Sequence, residues 1–201
     1  MIGAKEVEMT LTQIERSVWE TLQADVQRPG SSFRYLNLCS VDHALTPKAR
    51  IVVLRKVDPK RRSLEFHTDT RSPKWRELTG NPSATVLGYC PETRLQYRFE
   101  GHVTLFEPTS DYAVSSWSAL PFHTRNTYVG GPPGDELPEP HTTKEILLGN
   151  TDSQQGHDRF GVIVFSVALL DWFKLSRESN IRAQFGYDEN GEILSRSWVN
   201  P

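Results

Sequence analysis

Arg50-Ile51-Val52-Val53-Leu54-Arg55 sets an arginine at each end of a β-branched run. Phe66-His67-Thr68 follows as a second strand, and Ser72-Pro73-Lys74 opens a helix beside a lysine. A helix start offers unpaired backbone N–H groups and the positive end of the helix dipole, which suits a phosphate. Ser72 is a good N-cap and Pro73 a good first helical residue. Lys74 and Arg50 would add full positive charges, and Thr68 a hydroxyl. The backbone of Val52 to Leu54 could run beside a flat ring and read its polar edge. The chemistry suggested is the binding of a phosphorylated ligand laid across a sheet. The same residues also suit a surface strand with solvated arginines and an ordinary capped helix. Simple alternation puts Arg50 and Arg55 on opposite faces, so both serve one ligand only if the strand twists or bulges.

Other constellations say less. Gln96 and Arg98 share the polar face of a cleanly alternating strand, where they either line a pocket or face water. Trp172-Phe173 ends a long apolar run and suits core or interface packing as well as a ligand contact. Gly130 to Gly134 has a phosphate-loop composition, but its two prolines remove N–H donors and no lysine follows, so it is set aside. The six histidines show no H-x-x-x-H or H-E-x-x-H spacing, which argues against a metal site. There is no G-x-S-x-G elbow.

Composition narrows the class. The chain has 201 residues, 37% of them hydrophobic and 10% aromatic, enough for a packed core. With 23 Lys and Arg against 25 Asp and Glu, the net charge is -2, so no nucleic-acid surface is expected. Cys39 and Cys90 form no C-x-x-C pair, and Cys39 reads as a small core residue. Met1 to Glu8 lacks the apolar stretch of a secretory leader, and Phe160 to Leu170 is too short to span a bilayer. A soluble cytoplasmic protein without a membrane partner is expected.

The elements that must position these residues follow from hydropathy periods. Residues 12–28 read as an amphipathic helix with Ile14, Val18, Leu22 and Val26 in one stripe. Strands are expected at 33–41, 49–57, 63–68, 83–90, 94–106, 160–175, 181–187 and up to Trp198. Short helices are expected at 72–78 and 109–120. Residues 129–158 read as a long Gly/Pro-rich loop with one helical turn near 144–148. The whole chain, 1–201, is expected to be one domain. Consecutive strands joined by tight turns favour an antiparallel barrel.

Arg50-x-Val-Val-Leu-Arg55, Phe66-His67-Thr68-x-x-x-Ser72-x-Lys74, Asn81-Pro82, Leu95-Gln96 and Gly101, in this order, resemble the FMN-binding core of the pyridoxamine 5′-phosphate oxidase family. The resemblance implies a mainly β fold with flanking α: an antiparallel split β-barrel of the FMN-binding type with an N-terminal helix. It implies a homodimer with FMN at the subunit interface. Arg50, Ile51, Val52, Val53, Leu54, Arg55, His67, Thr68, Ser72, Lys74 and Gln96 would contact FMN from one subunit. Trp172, or Phe173 one residue on, would lie against the flavin from the other. Arg55, Arg125 and Arg182 would anchor a small phosphorylated substrate. The flavin carries the chemistry, so no catalytic side chain is assigned. The implied reaction oxidises an amine or alcohol of a phosphorylated pyridoxine-type substrate, with oxygen as acceptor. A flavin reductase, another FMN oxidoreductase, or a non-catalytic flavin- or haem-binding protein are the alternatives. The departures are Pro73 for an arginine, His67 for a tyrosine, Arg55 for a lysine, Pro121 for a tyrosine before the Phe122-His123-Thr124-Arg125 segment, and Gln184 for an arginine. They point to an oxidase-like branch rather than an oxidase proper.

Overall fold

A computed structural model describes residues 9–136 and 156–201. Helix α1 spans Leu11–Val26. Thr10 caps it reciprocally with Gln13, satisfying two backbone N–H groups at the helix start. Ile14, Val18, Trp19 and Leu22 bury its apolar stripe. Arg62 holds the helix to the sheet, pairing with Glu15 at 3.1 Å and lying over the rings of Trp19 and Tyr187.

Eight strands form one antiparallel sheet: β1 Tyr35–Val41, β2 Pro47–Asp58, β3 Ser63–Asp69, β4 Ser83–Cys90, β5 Leu95–Phe106, β6 Phe160–Lys174, β7 Ile181–Tyr187 and β8 Ile193–Val199. Their order is β3-β2-β1-β4-β5-β6-β7-β8, and β3 also pairs with β6, which closes the first six into a barrel. The 15-residue β6 makes both closure and extension possible. Its first part, Phe160 to Ser166, pairs with β3, and its last part, Leu169 to Lys174, pairs with β7.

Between these parts the ladder is irregular. Glu100 opposes Leu169 but Gly101 opposes Val167, so Ala168 is an extra residue on β6. One extra residue exchanges the faces of everything beyond it. Ile163, Phe165 and Val167 point into the core before the bulge, and Leu170 and Trp172 after it. Leu54, Phe66, Tyr97, Phe99 and Phe185 complete this core.

Helix α2, Pro73–Gly80, buries Trp75 and Leu78. Trp75 lies so close to Gly161 that a Cβ there would meet its ring at 2.5 Å. The absence of a side chain at Gly161 therefore lets α2 sit against the start of β6. Helices α3, Asp111–Ser118, and α4, Phe122–Arg125, cover the outside of the barrel. A second apolar cluster forms there from Ala113, Trp117, Leu120, Tyr128, Phe160 and Val162.

Some expectations are corrected. Cys39 is half-buried rather than core; among the described residues the fully buried thiol is Cys90, and both cysteines are free. No hydropathy period marks α4, a single four-residue turn. The expected helical turn near 144–148 lies outside the described residues. No helix among the described residues is long and apolar enough to cross a membrane.

Candidate functional site

The first group of residues gathers where β3 runs into α2. Ser72 occupies the N-cap position, but its hydroxyl does not cap the helix; it lies 3.2 Å from Thr68 Oγ1. Lys74 Nζ donates to the same Thr68 oxygen at 3.0 Å. Arg50 reaches in from β2 and donates to Ser40 Oγ at 2.5 Å and to Glu77 Oε2 at 2.6 Å. Burial first, and the charge of Arg50 second, hold the Lys74 amine below the ordinary lysine range, with Asp69 and Glu77 working against them. Two buried-side cations and two hydroxyls thus share a small volume in which the lysine charge is disfavoured. A dianion would relieve that penalty.

The second group lies on the outer side of β2 and β3. The β2–β3 ladder shifts register between Leu54 and Lys56, so Arg55 sits in a bulge. That bulge does not carry Arg55 to Arg50. Arg55 instead lies near Tyr128, whose phenol is pushed up to about 12, mainly by burial, with the Arg55 charge opposing the rise. Arg125, on α4, stacks over Trp117 at 5.6 Å, and Trp117 packs on Tyr128 and Phe160. His67 packs edge-on against Phe160 at 4.9 Å. Arg55 Nε, Arg125 Nε and His67 Nδ1 are buried without a hydrogen-bond partner. Unpartnered buried polar atoms are costly, and these three lie around one aromatic cluster, while Arg62 Nε and Arg98 Nε share the condition elsewhere.

The third group lies elsewhere. Gln96 opposes Phe173, and Phe173 opposes Arg182. These three share the outer face with Arg98, Asp171 and Gln184. Asp171 is the hub, taking Arg182 at 2.6 and 2.9 Å, Arg98 at 2.7 Å and Gln184 at 3.1 Å. Burial works to raise its pKa, but the hydrogen bonds of Arg182 and Gln184 and the two arginine charges outweigh it, leaving the carboxyl below the usual aspartate range. Trp172, expected against the flavin, faces the core beside Tyr97 and Ala183; the bulge at Ala168 gives the outward position to Phe173.

Gln96 is therefore not brought to Lys74 within one chain. Along β6, His67 opposes Val162 and Gln96 opposes Phe173. Eleven strand residues separate those positions, roughly 35 Å at strand rise. His67 and Gln96 thus pair with opposite ends of β6.

Reading the sequence missed Glu65, Tyr112 and Asp171. Glu65 carried a signal, being two residues from His67 and so on its face of β3. Asp171, a lone acid closing an apolar run, was the other.

The depressed Asp171 carboxyl has a consequence for stability. Its contribution is present above the ordinary aspartate pKa and is lost as the pH falls through the lower folded value. Asp171→Ala is expected to cost about 1–3 kcal/mol at pH 7. The gap to wild type should narrow in acid, as denaturant titrations at the two pH values would show.

Residues 16–107 match the family described as pyridoxamine 5′-phosphate oxidase, FMN-binding domain. That stretch, a little under half of the chain, is similar to the FMN-binding domain of pyridoxamine 5′-phosphate oxidases. FMN is accordingly its cofactor. A pyridoxine/pyridoxamine 5′-phosphate oxidase of Burkholderia thailandensis is 38% identical over 106 residues, which are 51% of this chain and 47% of that protein. The corresponding protein of Burkholderia mallei is 36% identical over 100 residues, 49% and 42% of the two chains. The match thus spans about half the length of the curated relatives. Two solved structures share the fold over nearly the whole chain. An FMN-binding protein related to pyridoxamine 5′-phosphate oxidase, from Nostoc punctiforme, has a TM-score of 0.78 at 24% identity, covering 96% of this chain and 100% of that one. PhzG from Burkholderia lata, solved with tetrahydrophenazine-1-carboxylic acid, has a TM-score of 0.72 at 20% identity, covering 98% and 95%. The family's split barrel is the architecture described above. The crowded cations at Arg50 and Lys74, with the Thr68 and Ser72 hydroxyls, fit the phosphate of FMN.

Proposed function

We propose that the protein is an FMN-dependent oxidoreductase that oxidises an amine or alcohol on a small phosphorylated substrate of the pyridoxine type, with oxygen as acceptor. The observation that carries this reading is the gathering of Arg50, Thr68, Ser72 and Lys74 at the α2 start, with Arg55 and Arg125 linked separately through Tyr128 and Trp117. In this reading Lys74, Arg50, Thr68 and Ser72 hold the FMN phosphate, and the Val52–Leu54 backbone and His67 border the ring. Arg55 and Arg125 hold the substrate anion, with Trp117 and Tyr128 as apolar walls that exclude water. When bound, FMN supplies the electron transfer.

The separation along β6 supports a second copy of the chain. If Gln96, Phe173 and Arg182 serve the same flavin as Lys74, they do so from a partner subunit. The outer face of β2, β1 and β4 suits such a partner, since Ile51, Tyr35 and Tyr89 are exposed on it.

A second reading keeps FMN and changes the substrate. Arg182 is engaged by Asp171, and Gln184 stands where the resemblance expects an arginine, so one anchor for a phosphorylated substrate is committed elsewhere. An aromatic carboxylate, such as the compound bound to PhzG, needs fewer cations.

The test is an anaerobic absorbance spectrum of FMN-loaded protein before and after pyridoxamine 5′-phosphate. Bleaching of the flavin band, then peroxide release on admitting air, is expected. A band that ignores this compound but bleaches with another reductant would move the assignment to the second reading.

A further inference from the structure

We propose that His67 is a base that takes a proton from the amine or alcohol of the substrate, and that Glu65 and Tyr112 fix which of its ring nitrogens faces that group. The inference rests on the proposed oxidase reading for its substrate class, and on the structure alone for its geometry.

His67 Nε2 lies 2.9 Å from Glu65 Oε1, and the His67 side chain is only 6% exposed. Tyr112 on α3 donates to the other Glu65 oxygen at 2.6 Å. Lys56, cross-strand from Glu65, places its ammonium 5.8 Å from the centre of the Tyr112 ring. Burial alone would raise the Glu65 pKa. The hydrogen bonds from His67 and Tyr112 come first among the effects that outweigh burial and leave it lowered. Tyr112 is pushed upward, by burial first and then by its bond to Glu65, so it remains a donor.

An ionised Glu65 can only accept. One of its oxygens takes the Tyr112 O–H, so the other takes the Nε2–H of His67. That assignment leaves the lone pair of a neutral imidazole on Nδ1, the atom with no partner in the structure. Nδ1 belongs to the ring that packs on Phe160, in the same aromatic cluster as Trp117, Tyr128 and, through them, Arg125 and Arg55. What Nδ1 lacks is an N–H or O–H donor, and a substrate ammonium or hydroxyl is one. In the transfer the substrate N–H or O–H bond breaks and an Nδ1–H bond forms. The electron pair stays on the substrate heteroatom, and Glu65 balances the resulting imidazolium. The phenol common at this position by the resemblance could donate to Glu65, as Tyr112 does, but would present no basic nitrogen.

The first measurement is nitrogen NMR of ¹⁵N-histidine protein loaded with FMN and reduced with dithionite, so that no turnover occurs. The His67 signals are assigned by their loss in His67→Phe. The expected result is a proton on Nε2 with Nδ1 bare, and an Nδ1 resonance that moves when pyridoxamine 5′-phosphate is added. In Glu65→Gln the preference for Nε2–H should weaken. A proton on Nδ1 in the wild type, or an Nδ1 resonance indifferent to pyridoxamine 5′-phosphate, overturns the proposal. A response to FMN loading with none to pyridoxamine 5′-phosphate assigns the donor to the flavin ring and also overturns the base role.

The second measurement is the rate of flavin bleaching by pyridoxamine 5′-phosphate. His67→Phe keeps the ring shape, and at saturating FMN bleaching should slow by about 10²–10⁴-fold, the usual worth of a general base. Unchanged bleaching overturns the proposal. Wild-type protein that takes up FMN but never bleaches with this compound removes the oxidase reading, while the NMR result still decides the tautomer.

Discussion

FMN binding is expected to weaken about ten- to a hundredfold when Lys74 is replaced by methionine, the loss of one charge-assisted hydrogen bond worth about 1.5–3 kcal/mol. Methionine keeps the length and apolar stem of lysine, so the cavity changes little. Lys74 already donates to Thr68 and already carries the penalties of burial and of the nearby Arg50 charge. In the free protein the ammonium is therefore poorly compensated, and the variant should be as stable as wild type or slightly more so. Lost affinity without lost stability separates a binding residue from a structural one. Arg76 is the control: it lies on the same helix, is exposed, and bears the same charge. Arg76→Met should leave FMN affinity near wild type. Equal losses in both variants would mean a diffuse field around α2 rather than a phosphate seat.

Gly101→Ala should be severe for a backbone reason. An added Cβ would stand 2.0 Å from the carbonyl oxygen of Ser166, inside the β5–β6 ladder. No rotamer can relieve a clash with backbone, so the strands must part at the bulge. The expected cost is at least about 3 kcal/mol, the upper part of the range for overpacking. For a chain this long that lowers Tm by roughly 6–12 °C in a thermal scan. The same bulge turns Asp171 and Phe173 outward, so the third group of site residues should be disturbed as well. Gly80→Ala, where an added Cβ meets nothing within 4 Å, is the matched control and should be nearly silent. A Gly101→Ala protein as stable as wild type would mean that the strands can slide past one another there, and that the face exchange at Ala168 is not fixed.

Most of the fold was legible because its strands alternate cleanly and its turns are short. In β5, Tyr97, Phe99 and Val103 fall on one face in sequence and in space. Helix α1 announced itself through Ile14, Val18 and Leu22. The phosphate-type group was legible too, because Ser72, Pro73 and Lys74 adjoin in sequence and Thr68 stands close behind. The outward set of β6 was not legible. Counting by twos from Ile163, Phe165 and Val167 puts Asp171 and Phe173 inside; only the extra residue at Ala168, a matter of pairing with β5, sends Trp172 inward instead. The Ser72 hydroxyl also escaped local reasoning, since it leaves its own helix to meet Thr68. The distance from Gln96 to Lys74 depends on barrel register, which no single segment contains.

The most direct test compares the affinities of FMN and riboflavin for the same purified protein, by flavin fluorescence. The two ligands differ by the phosphate alone. FMN should bind at least about a hundredfold more tightly, a gap of about 2.7 kcal/mol, and Lys74→Met should close most of that gap. Equal affinities in the wild type, or a preference for FMN that survives Lys74→Met intact, would contradict a phosphate held by Arg50, Thr68, Ser72 and Lys74.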